Sequence, residues 1–399
     1  MDSSTYPPSY SATIPSPNYS SDPAEDEQRL AYQRSPTHGA LTGIFVRKEG
    51  QVTVILENQR EGTSEPEYGR RSAVSGSIVL HQPSVITEVK VRLRGSVEFL
   101  TLSQGFAQKD LCDETQVLYD KEAESTECPS SLPFSLIMPS TFQHGQKHYP
   151  FPPSYDVQLF SENIQYAKVA YFLTVMVTKS RKGPTALLLG KNQQKYRPRS
   201  RPPRPIPYDH SFLSTIKVCP EEWHQSSCTI EPRLPESDLQ PVSCQLFLPS
   251  VGVYEMTESI PFHIQLIGTS STLQRLCSQS KGNPPVMLRL LRQLVLDVNG
   301  RQVAINLCLG EAKICSPPPT LDGGSQDTTA VNLEGEIKVE MENFTVPSFD
   351  SGIVATRDHI ALELSKSKPD SNALFKPLKH IQVLKLVTDP WSDTPDPFS

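Results

Sequence analysis

Apolar and polar residues alternate along much of this chain. From Val169 to Val177, Val169, Tyr171, Leu173, Val175 and Val177 fall on one side of a period-two repeat. Ala170, Phe172, Thr174 and Met176 fall on the other. Such a period marks a β-strand, and apolar groups on most positions of both faces imply burial between layers. A second run is cleaner: Val89, Val91, Leu93, Val97 and Phe99 share one face, while Lys90, Arg92, Arg94, Ser96 and Glu98 share the other. That is an antiparallel strand with one side on a core and one in water; a helix would scatter the same apolar groups around its circumference. Similar runs occur at Leu41–Arg47, Val52–Leu56, Phe262/Ile264/Leu266, Val303/Ile305/Leu307, Ile337/Val339/Met341 and Ile360/Leu362/Leu364. Ile381–Val387 is nearly apolar throughout, and Leu273–Cys277 suits a turn or two of helix. Many short strands separated by Gly/Pro turns predict an all-β chain built of β-sandwiches.

At 399 residues the chain is long enough for two domains, each with its own core. Residues 1–38 are rich in Ser, Pro, Tyr and acid, bury little apolar surface and are expected to be disordered. The expected order is then a sandwich over 39–218, a second over 219–388 and an acidic tail over 389–399. The first includes a basic, Pro-rich segment at 179–207. From Lys179 to Arg204 there are nine Lys/Arg and no acid. The net charge of −6 argues against nucleic-acid binding by the whole surface. No signal-peptide pattern or 20-residue apolar span is present. The eight cysteines form no Cys-x-x-Cys pair and no zinc spacing with histidine. Reduced thiols in a cytoplasmic protein are the expectation.

Several segments resemble the arrestin-like proteins, most closely the α-arrestins. Leu132-Pro-Phe-Ser-Leu-Ile-Met-Pro139, then Tyr149-Pro-Phe-Pro-Pro-Ser-Tyr155, then the Tyr-rich strand ending at Val177 is similar to that family's N-terminal domain. Ser75–Leu80 followed by Val89–Gly95 is similar to its early strand pair, with Gly95 closing the second strand. Cys244–Tyr254 and Ser259–Leu266 are similar to the opening of its C-terminal domain. The resemblance covers about residues 41–388. It implies two tandem antiparallel, immunoglobulin-like sandwiches acting as an adaptor. In such proteins the cytoplasmic segment of a membrane protein is brought to a HECT-type ubiquitin ligase, for ubiquitination, endocytosis and trafficking. A second implication is an arrestin-fold subunit of an endosomal coat or cargo-sorting complex. Localisation would be cytoplasmic, with peripheral recruitment to plasma membrane or endosomes.

Candidate chemistry is that of binding. No Gly-x-Ser-x-Gly, phosphate loop, His-Glu-x-x-His or Asp-rich metal loop occurs, so no catalytic residue, metal ligand or cofactor is assigned. The dispersed histidines are assigned structural or surface roles, with His263 on an expected solvent face. Pro7, Pro8 and Tyr10 fit the Pro-Pro-x-Tyr ligand of WW domains, in which two prolines pre-set a polyproline II turn and the tyrosine fills a neighbouring pocket. Pro152-Pro-Ser-Tyr155 repeats the tetrapeptide inside the fold, where Tyr155 is expected to be packed. The basic segment, with Lys191, Lys195, Arg197, Arg199, Arg201 and Arg204, admits three readings: a solvated loop, a site for anionic lipid or acidic cargo, or an SH3-type ligand. Lys90, Arg92 and Arg94 would extend such a basic patch. Asp389-Pro390-Trp391 and Asp396-Pro397-Phe398 resemble motifs that endocytic proteins present to clathrin-adaptor appendage domains. Asp and Pro shape a turn, and the aromatic ring supplies an apolar anchor. That segment is expected to be mobile.

Overall fold

A computed structural model describes residues 42–124, 126–159, 163–179, 184–185, 193–203, 216, 219–234, 238–279, 283–298, 300–315, 328–340, 346–365 and 373–391. Residues 40–399 belong to one compact unit.

The first half contributes β1 (Gly43–Glu49), β2 (Val52–Gln59), β3 (Glu67–Tyr68), β4 (Ala73–Leu80), β5 (Ile86–Thr101) and β6 (Gly105–Asp120). It continues with β7 (Ser131–Ile137), β8 (Thr141–His144), β9 (Lys147–Pro150), β10 (Tyr155–Gln158), β11 (Ile164–Lys179), β12 (Pro184–Thr185) and β13 (Gln193–Tyr196). One sheet has the order β1-β2-β4-β7. Its partner has the order β3-β13-β11-β5-β6, with β10 and β12 also on β11. Alternation builds the layers as the sequence predicts. Val54, Leu56, Val74, Ile78 and Phe134 of the first sheet and Val89, Val91, Leu93, Tyr171 and Leu173 of the second meet in one buried cluster.

The second half contributes β14 (Trp223–Ile230), β15 (Val242–Pro249), β16 (Val253–Glu255), β17 (Ile260–Thr269), helix α1 (Ser270–Gln279), β18 (Val286–Val298) and β19 (Arg301–Glu311). It ends with β20 (Lys313–Cys315), β21 (Thr328–Ile337), β22 (Phe349–Asp350), β23 (Val354–Leu364) and β24 (Lys379–Val387). The sheets have the orders β14-β15-β17-β21-β20 and β16-β24-β23-β18-β19. Val242, Leu246, Phe262 and Ile264 of one face Leu288, Leu290, Ile360 and Leu362 of the other in a second cluster. Among the described residues the molecule is all-β apart from α1, two 3-10 turns and the helical residue Ile216. Sheet membership changes between Tyr196 and Trp223, inside the segment where the sequence suggests a boundary.

The halves share core. Leu294, Leu296 and Val298 at the end of β18, with Val346, Ile353 and Val354 around the β22–β23 turn, belong to the first half's cluster. A side chain of this kind contributes about 1.5–3 kcal/mol when fully buried, so the joint is held by packing rather than by the connecting segment alone. Gly352 lies at its crest. With φ +75° it occupies the left-handed region, and a Cβ there would stand 2.6 Å from the Tyr149 ring, so only glycine fits.

Several expectations are corrected. Gly95 does not end its strand: β5 continues to Thr101, and Gly95 sits mid-strand because a Cβ would lie 2.7 Å from the Tyr171 ring. β4 and β5 are not partners but belong to opposing sheets, β4 between β2 and β7, β5 between β11 and β6. The strand expected around Ile337–Met341 is β21, which ends at Ile337; Met341 lies outside the described residues. The helical turn grows to the ten residues of α1, whose Leu273 and Leu276 are buried. β24 is apolar in composition but not in placement. Leu384, Leu386 and Val387 are buried, while Ile381 and Val383 remain 46% and 71% exposed.

Candidate functional site

The two Pro-Pro-Ser-Tyr tetrapeptides differ in standing. Pro7, Pro8 and Tyr10 lie outside the described residues. The inner copy is built into the fold. Tyr171 Oη donates to Pro152 O at 2.7 Å, and Ser154 is stitched to β13 three times. Its N–H donates to Tyr196 O (2.8 Å), its hydroxyl donates to Gln194 O (3.2 Å), and the hydroxyl accepts from Tyr196 N–H (2.9 Å). Tyr155 is buried, meets Phe349 edge to face at 6.2 Å, and has its phenol pKa pushed up by burial. A WW groove needs a free proline turn and an accessible tyrosine ring; this copy offers neither.

The basic segment is more structured than a loop. Lys195 belongs to β13, whose register with β3 sets it beside Glu67, and its ammonium pairs with Glu65 at 3.0 Å. Arg197 N–H donates to Tyr68 O (2.9 Å), which leaves the side chain exposed. Arg199 lies 3.8 Å from the Asp389 carboxylate, and the Arg201 side chain is partly buried. Lys191 and Arg204 lie outside the described residues. Nor do β5 cations extend the patch. Arg92 pairs with Asp113, Arg94 with Asp110 and Lys90 with Glu88, and the hydrogen bonds from Arg92 lower the Asp113 pKa. Glu88 lies on β5 itself, while Asp110 and Asp113 come from β6, whose register against β5 sets Asp113 opposite Arg94 and Thr115 opposite Arg92. The charged face expected to attract anions is thus largely neutralised, by Glu88 on the same strand and by the two β6 aspartates.

At the other end of the chain, the first acidic motif is tied down. Thr388 Oγ1 accepts from Ser200 N–H (2.8 Å) and donates to Ser200 O (3.1 Å), while Asp389 N–H donates to the same carbonyl at 3.1 Å. Pro390 is exposed and Trp391 partly buried. The segment leaving β24 is therefore fastened to the basic strand's continuation as far as Asp389, where mobility was expected. Asp396, Pro397 and Phe398 lie outside the described residues.

Two polar constellations escaped the sequence reading. Arg292 and Asp358, both essentially unexposed, form a two-pronged ion pair with Nε–Oδ1 at 2.7 Å and Nη2–Oδ2 at 2.8 Å. Arg292 Nη1 also donates to Val346 O (2.7 Å), and Ser348 Oγ donates to Asp358 Oδ2 (2.6 Å). The pair sits under the β22–β23 turn, at the joint between halves, near enough to Tyr155 to act on its ionisation. Its signal was present. In Leu288, Leu290, Arg292, Leu294 and Leu296, an arginine occupies a core parity.

The second is His263. Expected on a solvent face, it is fully buried. Nδ1 lies 3.2 Å from Glu334 Oε1, Nε2 lies 3.2 Å from Asn332 Oδ1, and the ring packs against Phe247. Burial pushes its pKa down, outweighing the upward pull of Glu334 and Asn332. The outer face of this sheet is covered where Trp223, Phe247 and Ile216 pack together, which the alternation of β17 alone does not reveal.

Among the described residues, no group of three or more His, Cys, Asp or Glu is arranged to hold a metal ion, and no helix is long and apolar enough to cross a membrane. No family model matches the chain, and no curated protein matches it.

Proposed function

We propose that this chain is a non-catalytic adaptor, similar to the α-arrestins, that joins cytoplasmic segments of membrane proteins to a WW-domain ligase of the HECT type. The observation that carries the reading is the contrast between the two tetrapeptides. Tyr155 is buried beneath Phe349, Pro152 is held by Tyr171 of β11 and Ser154 is stitched to β13. That leaves Pro7, Pro8 and Tyr10 to engage a WW groove. Residues 40–399 supply a compact unit with long edge strands such as β6 and β19, the surface an adaptor needs for extended segments of cargo. Tethering then raises the effective concentration of ligase near the cargo's lysines without requiring either contact to be tight.

The test is capture of ligase by the full chain. Wild-type protein should retain HECT-ligase WW domains from solution, and a peptide of residues 1–20 should bind them in the micromolar class, about −8 kcal/mol. Tyr10→Ala should abolish both, while Tyr155→Phe should change neither. Binding that survives Tyr10→Ala, or stoichiometric subunits that co-purify regardless of it, would replace the adaptor with a constitutive coat or sorting subunit.

A further inference from the structure

β24 carries an unused edge. On one side it pairs with β23, from Glu363 opposite Lys379 to Asp358 opposite Leu384. On the other, β16 runs parallel to it only at Lys385–Val387. Lys385 N–H donates to Gly252 O and Val387 O accepts from Met256 N–H, both on the β16 side. Leu386, in contrast, exchanges bonds with Ser348 beside β23. Backbone groups alternate along a strand, so the odd-numbered residues of β24 direct N–H and C=O away from β23. Beyond β16, that sets the amides and carbonyls of Ile381 and Val383 on an open edge, where they have no hydrogen-bond partner among the described residues.

The side chains on this stretch are equally unused. Lys379, Ile381, Val383 and Lys385 share one face and all are exposed, Val383 at 71%. Neither lysine has an acidic partner within ion-pair distance among the described residues, whereas nearby Arg289 pairs with Glu363 and Arg357 with Asp350. Beside them lies a groove of ≈ 560 Å³, lined by Phe349, Ile381 and Val383 together with polar residues that include Asp350 and Arg357. Two β-branched residues between two unpaired cations, along an unsatisfied backbone, define what fits. The lysines disfavour edge pairing with a second copy of the same strand, since each copy would bring the same two cations. They attract an extended peptide that carries carboxylates at its ends and apolar residues between.

We propose that Lys379–Leu384 is a docking edge that accepts an acidic, alternating peptide segment of a partner protein as an added β-strand. Backbone bonds to Ile381 and Val383 hold the strand. Its apolar side chains pack on those two residues, and its flanking acids meet Lys379 and Lys385. This rests on the adaptor reading and locates where the adaptor would grip its cargo.

The test uses the full chain and a synthetic probe, acetyl-Asp-Glu-Val-Thr-Val-Thr-Val-Asp-Glu-amide, with a second peptide in which Lys and Arg replace the acids. Hydrogen–deuterium exchange should show the amides of Ile381 and Val383 protected by the acidic peptide. Fluorescence anisotropy should show its affinity falling about tenfold in Lys379→Glu/Lys385→Glu, the effect of reversing two exposed charge pairs. The basic peptide should bind only the reversed variant. Absence of protection at Ile381 and Val383, or equal binding of both peptides, would overturn the proposal. So would concentration-dependent dimerisation that Val383→Lys abolishes, which would assign the edge to a second copy. If the edge takes the peptide while Tyr10→Ala leaves ligase capture unchanged, ligase recruitment fails and the docking edge stands.

Discussion

Removing one member of the Arg292–Asp358 pair should be among the most damaging single changes in the molecule, and removing both should be far milder. Asp358→Ala leaves the Arg292 guanidinium unexposed, with only Val346 O remaining of its three short hydrogen bonds. It also strips the Ser348 hydroxyl of its acceptor. A buried charge left without its partner costs about 3–5 kcal/mol, because desolvation is no longer offset by attraction. In Arg292→Met/Asp358→Leu no charge remains to desolvate. Side chains of similar volume restore packing, and the double variant should recover most of the loss, ending within about 1–2 kcal/mol of wild type. The non-additivity is the measured quantity: with Arg292→Met and Asp358→Leu each costing about 3–5 kcal/mol alone and about 1–2 kcal/mol together, the two residues should couple by about 4 kcal/mol or more, above the range usual for contacting residues. Urea denaturation followed by Trp fluorescence gives each midpoint, and an unchanged slope verifies that stability alone has moved. Were Asp358→Ala to cost less than about 1 kcal/mol, or the double variant to be less stable than either single one, the pair would not be the desolvated lock described.

His263 gives stability a pH dependence of defined sign. Its pKa is lowered in the folded state, chiefly by burial. The unfolded chain therefore takes up the proton first as pH falls, and stability present above about 6.5 is lost below it. His359 shifts in the same direction, also chiefly through burial, so His263→Gln should shallow the acid limb rather than remove it; an unchanged limb would refute the assignment. For the basic segment, Arg197→Ser with Arg201→Ser should reduce sedimentation with anionic liposomes, and added salt should do the same for wild type by screening. Equal sedimentation of wild type with neutral and anionic vesicles would make these arginines structural.

What the sequence disclosed and what it hid divide along a physical line. Alternation over β5 was legible because a strand between a core and an outer face must repeat every two residues, whereas β11, expected to be buried on both faces, leaves Phe172, Thr174 and Met176 half-buried. The buried status of Tyr155 was legible for a related reason: prolines inside a domain fix backbone at positions where the ladder does not need an N–H. The partners that neutralise Arg92 and Arg94 were not legible. They come from β6, and the pairing depends on a register that shifts at Gly95, where the Tyr171 ring crowds the strand. His263 misled for want of a second layer. Alternation states which residues share a face, never what lies against that face, and here Phe247 packs on the ring while Glu334 and Asn332 hold its two nitrogens.

Arg292 and Ile381 make the same point from opposite sides. Each violates the parity of its strand, a charge where the pattern demands an apolar group and an aliphatic where it demands a polar one. A buried arginine persists only where acceptors surround it. The violation at Arg292 therefore requires a partner within the chain, and Asp358 supplies it. An exposed aliphatic carries no such requirement, since single ones are common on any surface. Ile381 gains meaning only because Val383 repeats the violation two residues on, because lysines bracket both, and because the edge they occupy lacks backbone partners among the described residues. A parity violation inside a core is therefore answered within the fold. One on a surface calls for another molecule only when backbone, charge and side chains are left open together, and along β24 all three are open among the described residues.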